Sequence, residues 1–132
     1  MNTLYNQQCD PKTLSPLTLA FIGDGVYDLF VREKLVCDAN CAVGKLNDMK
    51  VKKVCCTFQS QAIKSILYTL TEEEVSIYKR GRNAHTCNTP KNSNKADYHA
   101  ATGLEALFGY LYLKGDINRL REIFNLIIKN HK

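Results

Sequence analysis

Two stretches of this chain are apolar nearly all round at helical period, and each has an acid at its centre, Asp24 in the first and Glu105 in the second. The first is Leu17-Thr18-Leu19-Ala20-Phe21-Ile22-Gly23-Asp24-Gly25-Val26-Tyr27-Asp28-Leu29-Phe30-Val31; the second runs from Ala100 to Leu113. Helices of that kind belong in a protein core. On the first, Asp24 falls on the stripe of Leu17, Ala20, Tyr27 and Val31, between Gly23 and Gly25. A buried carboxylate without a partner is costly, so Asp24 is expected to have a proton, a cation, or simply a core hydrogen bond. Each flanking glycine costs about 1 kcal/mol relative to alanine inside a helix, which predicts a close approach to the backbone at both. On the second stretch Glu105 shares a face with Ala101, Phe108 and Tyr112. If the two helices meet, the carboxylates repel and their pKa values rise unless a cation lies between them. Magnesium suits that place, since one or two carboxylates with waters and substrate phosphates commonly hold it.

The remaining segments are helical too. Ser15-Pro16 is a cap and first turn, predicting a helix to about Cys37 and a turn at Asp38-Ala39-Asn40. Shorter helices are predicted over Val43 to Cys55 and Thr57 to Leu70, the latter with a stripe of Phe58, Ala62, Ile66 and Leu70. Thr71-Glu72-Glu73-Glu74 reads as a capping box for a helix to about Ala84. His85 to Lys95 reads as an exposed loop. The Glu105 helix should begin near Asp97 and stop at Gly115, and Asp116 should cap a last helix through Leu120, Ile123, Phe124 and Ile127. No alternating strand pattern, repeat or linker interrupts this, so residues 1–132 are expected to form one all-α domain.

A chain of 132 residues can bury roughly two thirds of the surface its unfolded form exposes. No apolar run reaches the length of a membrane span, and the polar Met1–Pro11 segment lacks a signal region, so a cytoplasmic protein without membrane attachment is expected. The six cysteines (9, 37, 41, 55, 56 and 87) are expected to be reduced, buried by default, with Cys87 in the basic loop the most exposed. Their spacing, with His85, His99 and His131, makes no zinc ribbon or knuckle. The net charge of +5 is unevenly spread. Lys45, Lys50, Lys52, Lys53 and Lys64 face a single Asp48, and Lys79, Arg80, Arg82, Lys91 and Lys95 occupy a segment without acids. Most charge runs are solvated faces; two of them beside a candidate magnesium site point to a polyphosphate such as nucleic acid.

The motifs resemble a family. Phe21-Ile22-Gly23-Asp24-Gly25-Val26-Tyr27-Asp28 resembles the signature helix of ribonuclease III domains, and Thr102-Gly103-Leu104-Glu105-Ala106-Leu107-Phe108-Gly109 their second motif. Lys79-Arg80-Gly81-Arg82-Asn83-Ala84, followed by Thr89-Pro90-Lys91-Asn92, is similar to the Mini-ribonuclease III group, a bare nuclease domain without a double-stranded-RNA-binding domain. The resemblance spans about Leu14 to Phe124. Where the wider family carries further acids, this chain has Leu17, Ala20 and Thr102, a loss compatible with a silent nuclease. The Mini-ribonuclease III group shares that reduced set and keeps acids at the positions of Asp24 and Glu105.

The resemblance implies the ribonuclease III fold, a helical bundle forming a symmetric homodimer, and hydrolysis of double-stranded RNA to 5′-phosphate and 3′-hydroxyl ends. Asp24 and Glu105 would be the catalytic and metal-binding residues, holding Mg²⁺, with Mn²⁺ a possible substitute. Phe21 takes the place of an aromatic dimer contact, with an ordinary core position as its alternative. RNA contacts are expected from Lys79, Arg80, Arg82, Asn83, Lys91, Asn92 and Lys95, and from Lys50, Lys52 and Lys53 as a second surface. Thr102 would either hold a metal-bound water or pack, and His85 and His99 are weak candidates for a general base beside an ordinary surface role. The implied substrate is the base-paired ends of precursor large-subunit (23S) ribosomal RNA. The competing readings are a silent RNA- or ribosome-binding subunit, a helical interaction domain without nuclease activity, and a magnesium enzyme acting on nucleotides or DNA.

Overall fold

The structure, a computed structural model, describes residues 3–84 and 94–131. Six α-helices make up the described chain: α1 (Pro16–Asp38), α2 (Val43–Val54), α3 (Cys56–Ile66), α4 (Glu72–Asn83), α5 (Lys95–Lys114) and α6 (Ile117–Asn130). Short 3₁₀ turns at Pro11–Thr13 and Leu67–Thr69 complete it, with no strand among the described residues. The all-α expectation therefore holds.

Local chemistry places most of the boundaries. Ser15 Oγ accepts from the Thr18 amide at 3.2 Å with Pro16 in the first turn of α1. Thr71 and Glu74 exchange both bonds of the capping box at the start of α4, at 2.9 and 3.1 Å. Gly115 ends α5 in the left-handed region (φ 85°), which a residue without a Cβ adopts freely, and Asp116 then caps α6. Two boundaries differ from expectation. Helix α5 starts at Lys95 because Asn94 Oδ1 accepts from the Ala96 and Asp97 amides. The Thr57–Leu70 helix stops at Ile66, where the chain tightens into the 3₁₀ turn.

Helix α5 is the axis of the molecule, buried over Ala100–Leu104 and again from Ala106 to Leu111. Helices α1, α3 and α4 pack around it, and α6 closes the far side with Leu120, Ile123, Phe124 and Ile127. Tyr27 of α1 makes edge-to-face contacts with Phe108 (5.3 Å) and Phe124 (6.1 Å), joining three helices at one point.

At the crossing of α1 and α5 the backbones touch. A Cβ on Gly23 would stand 1.6 Å from the Glu105 carbonyl oxygen, and one on Gly109 would stand 2.0 Å from that of Leu19. The expected close approach is therefore real at Gly23. It is absent at Gly25, where a Cβ would meet nothing within 4 Å.

The first helix is not buried all round. Leu19, Ala20, Gly23, Tyr27 and Val31 face the core, but Phe21 is 85% exposed, and Leu17, Leu29 and Val36 are exposed as well. Asp24 is exposed too, which corrects the expectation of a buried carboxylate. One residue beyond Gly23 turns the helix by about 100°, so Asp24 leaves the contact line and stands at its rim. The cysteines also differ from expectation: Cys9, Cys37 and Cys55 are exposed, Cys41 and Cys56 half-buried, and all five are free thiols. Cys87, His85, Lys91 and Asn92 lie outside the described residues.

Candidate active site

The backbone contact at Gly23 sets α1 against the turn of α5 that bears Glu105, and the two carboxyl groups meet across it. Glu105 is half-buried beneath the Asp24 rim. Burial, then the charge of Asp24 and the hydrogen bond with it, push the Glu105 carboxyl up to about 8. The metal-free chain thus favours the protonated form of Glu105. A divalent cation would take the proton's place, and two facing carboxylates open to solvent on one side are a donor set of the right kind for magnesium. Among the described residues no group of three or more His, Cys, Asp or Glu side chains gathers, so neither a zinc site nor a four-acid site is formed there.

Two further side chains complete the surroundings. Gln59, 2% exposed on α3, donates from Nε2 to the Val54 carbonyl (2.9 Å) and to Glu105 Oε2 (3.5 Å). Its bond to Glu105 opposes the upward shift of that carboxyl. Tyr27, one turn beyond Asp24, donates its hydroxyl to the Lys53 carbonyl at 2.7 Å. Burial, with Cys55 and Glu105 nearby, raises the Tyr27 phenol far above its ordinary value, so it stays a donor. Gln59 carries a signal in the sequence: with Ser60, Ala62, Ile63 and Ile66 it forms the buried face of α3, a long polar side chain beside an apolar stripe. The stripe expected from Phe58 shares Ala62 and Ile66 with that face, and Phe58 and Leu70 pack partly buried against the core; what it passes by is Gln59.

Thr102 is 7% exposed and its hydroxyl donates to the Tyr98 carbonyl at 3.0 Å, which favours the packing role over a water ligand. Ala20, also 7% exposed, packs in the core. His99 is half-buried with its ring near Tyr98.

The basic residues fall into two groups around this crossing. Gly81 packs on Thr102, Gly103 and Ala106 of α5, so the last turn of α4 lies against the turns flanking Glu105. Lys79, Arg80 and Asn83 are exposed there, Arg82 lies over the Tyr78 ring, and Lys95 is exposed at the start of α5. The end of α2 reaches the site from the other side, through the Lys53 and Val54 carbonyls held by Tyr27 and Gln59. Lys52 is exposed, Lys53 lies 4.6 Å over the Phe58 ring, and Lys50 is 3.9 Å from Asp28, which also binds Arg32 at 2.5 Å.

The helical fold and its crossed, carboxylate-bearing helices define a ribonuclease III domain, the catalytic unit of a class of endoribonucleases; the Ribonuclease III domain model matches residues 17–116. Curated relatives narrow this. A Mini-ribonuclease 3 of Thermoanaerobacter sp. (strain X514) is 46% identical, over 89% of this chain and 82% of its own. Those of Symbiobacterium thermophilum and Staphylococcus aureus are 43% and 38% identical, covering 86% and 89% of this chain and 88% and 89% of their own. A solved structure from Fusobacterium nucleatum superposes with a TM-score of 0.83 at 32% identity, over 96% of this chain and all of that one. The chain belongs to the Mini-ribonuclease 3 family, and is an endoribonuclease.

Proposed function

We propose that the protein cleaves double-stranded RNA in a magnesium-dependent reaction, with Asp24 and Glu105 as the metal-holding and catalytic residues. The observation that carries this reading is the meeting of the two carboxyls at the α1–α5 crossing, with Glu105 raised to about 8. When bound there, the metal supplies an activated water and neutralises charge on the leaving oxygen. Asp24 and Glu105 orient that ion. Lys79, Arg80, Arg82, Asn83 and Lys95, with Lys91 and Asn92 outside the described residues, hold the phosphates and 2′-hydroxyls of the duplex. Lys50, Lys52 and Lys53 extend the basic surface along α2; of these Lys52 is freest to reach RNA. Manganese is expected to substitute for magnesium.

Cutting both strands calls for two sites, and we read the active form as a symmetric homodimer. Support comes from the apolar outer face of α1: exposed Phe21, Leu17 and Leu29, beside an open groove of ≈ 1070 Å³ lined by Ile22, Val26, Phe30 and Phe124 among others. Phe21, 85% exposed in the single chain, is the contact expected to insert into the partner. The substrate we favour is the base-paired end of precursor 23S ribosomal RNA, in the cytoplasm; no described helix is long and apolar enough to cross a membrane.

A second reading, a silent RNA-binding subunit, is favoured by Ala20 and Thr102, which are packed in the core and add no acid to the pair. Cleavage of a labelled RNA duplex with magnesium, beside Asp24→Asn and an EDTA control, separates the two. Cutting that needs both metal and Asp24 supports the nuclease. Folded protein that binds the duplex and never cuts it supports the silent subunit.

A further inference from the structure

The amide of Gln59 is placed in a way that packing alone does not explain. It is 2% exposed on the buried face of α3, which it shares with Ser60 (1% exposed) and with Ala62, Ile63 and Ile66, each with no exposure. Its Nε2 has two protons and two acceptors, the Val54 carbonyl and Glu105 Oε2. Its Oε1 is buried without a partner. The orientation is not interchangeable, because turning the amide over would set its oxygen against a carbonyl that only accepts. An apolar side chain would fill the same space without orphaning an oxygen, so the gain from glutamine lies in what Nε2 holds.

What it holds is a strut between two elements. Val54 is the last residue of α2, and Tyr27 clasps the preceding carbonyl, so the end of α2 is fixed from α1 and α3 together. The second N–H of Gln59 runs from that fixed point to Glu105. We propose that Gln59 is a positioning residue, whose amide anchors the Glu105 carboxyl to the end of α2 and holds it facing Asp24, prepared for a divalent cation. The proposal rests on the metal-site reading of Asp24 and Glu105. It adds a residue that touches neither metal nor RNA and acts only through Glu105.

The test uses the full chain and Mn²⁺ as the probe, read by the electron paramagnetic resonance of free Mn²⁺ and by the Mn²⁺-induced rise in melting temperature. Gln59→Met keeps the shape and removes both donors. We expect Gln59→Met to weaken Mn²⁺ binding about tenfold or more, the usual range for an outer partner of a metal ligand. Melting in EDTA reports packing separately. Wild-type Mn²⁺ affinity in Gln59→Met overturns the proposal and leaves the metal site standing. If wild type shows no Mn²⁺ binding that Asp24→Asn abolishes, the metal-site reading and the proposal fall together. Should Gln59→Met not fold, Gln59→Asn, whose arm is one methylene too short to span both acceptors, takes its place with the same expected loss.

Discussion

Gly23 and Gly25 flank the same aspartate and have opposite environments. A Cβ at Gly23 would lie inside the Glu105 backbone, whereas one at Gly25 would meet open space. Gly23→Ala should therefore separate α1 from α5 and cost about 3 kcal/mol or more, while Gly25→Ala in the monomer should gain up to ~1 kcal/mol of helix propensity. Chemical denaturation of the two variants checks both signs. Glu105 makes the second prediction at this scale. Its folded-state pKa of about 8 lies above the ordinary 4.5, so the metal-free folded chain holds a proton that the unfolded chain has lost. The stability Glu105 contributes is full below about pH 4.5, declines through pH 8 and then stays low. Melting in EDTA should show Glu105→Gln more stable than wild type at pH 8, with the difference vanishing towards pH 4.5. A carboxylate held against its own electrostatics is what a cation site requires.

The elements are held in place by a few polar ties around an apolar axis. The firmest joins α4, α6 and the 3₁₀ turn between α3 and α4: Arg119 donates to both oxygens of Glu74 at 2.8 Å and to the Thr69 carbonyl at 2.9 Å. Burial alone would raise the Glu74 carboxyl, but Arg119 and the Thr71 amide hold it below the usual range. Glu74 is 5% exposed, so Arg119→Met would leave a buried carboxylate with only its capping bond, at a cost of about 3 kcal/mol. Because the folded pKa is depressed, this tie stabilises above the ordinary carboxylate pKa and is lost as pH falls through the folded value. The Arg119→Met deficit should therefore be full at pH 7 and shrink in acid, which melting curves across pH will show. Helix α1 has a different balance. One face is built into the core, and the opposite one, with Phe21, Leu29 and Val36, stands exposed.

That unpartnered face is a property of the whole molecule. An exposed phenylalanine on a helix whose Ile22, Val26 and Leu29 line an open groove of mixed character is a liability in a monomer and an asset in an assembly. Phe21→Ala should leave the monomer's melting temperature nearly unchanged, shift the dimer–monomer equilibrium towards monomer in sedimentation, and lower cleavage most at low protein concentration. Cleavage that falls equally at all concentrations would argue against Phe21 as a dimer contact. The last turn of α4 packs beside the turn that bears Glu105, and the end of α2 is tied to it through Tyr27 and Gln59, so the basic ends of these two helices are positioned by the same packing that brings the carboxyls together.

The sequence by itself determined the helices, their caps and the family, because caps and helical period are local and short motifs survive in order. Ser15, Thr71 and Asp116 needed no tertiary knowledge, and neither did the two acids standing in apolar helices. Only the tertiary structure decided that Asp24 stands at a rim, that Gly25 is open, that the five described cysteines are not buried and that Gln59 reaches Glu105. Each of these depends on how far a helix is rotated about its axis against its neighbour. The contact at Gly23, where two backbones touch, fixes that angle.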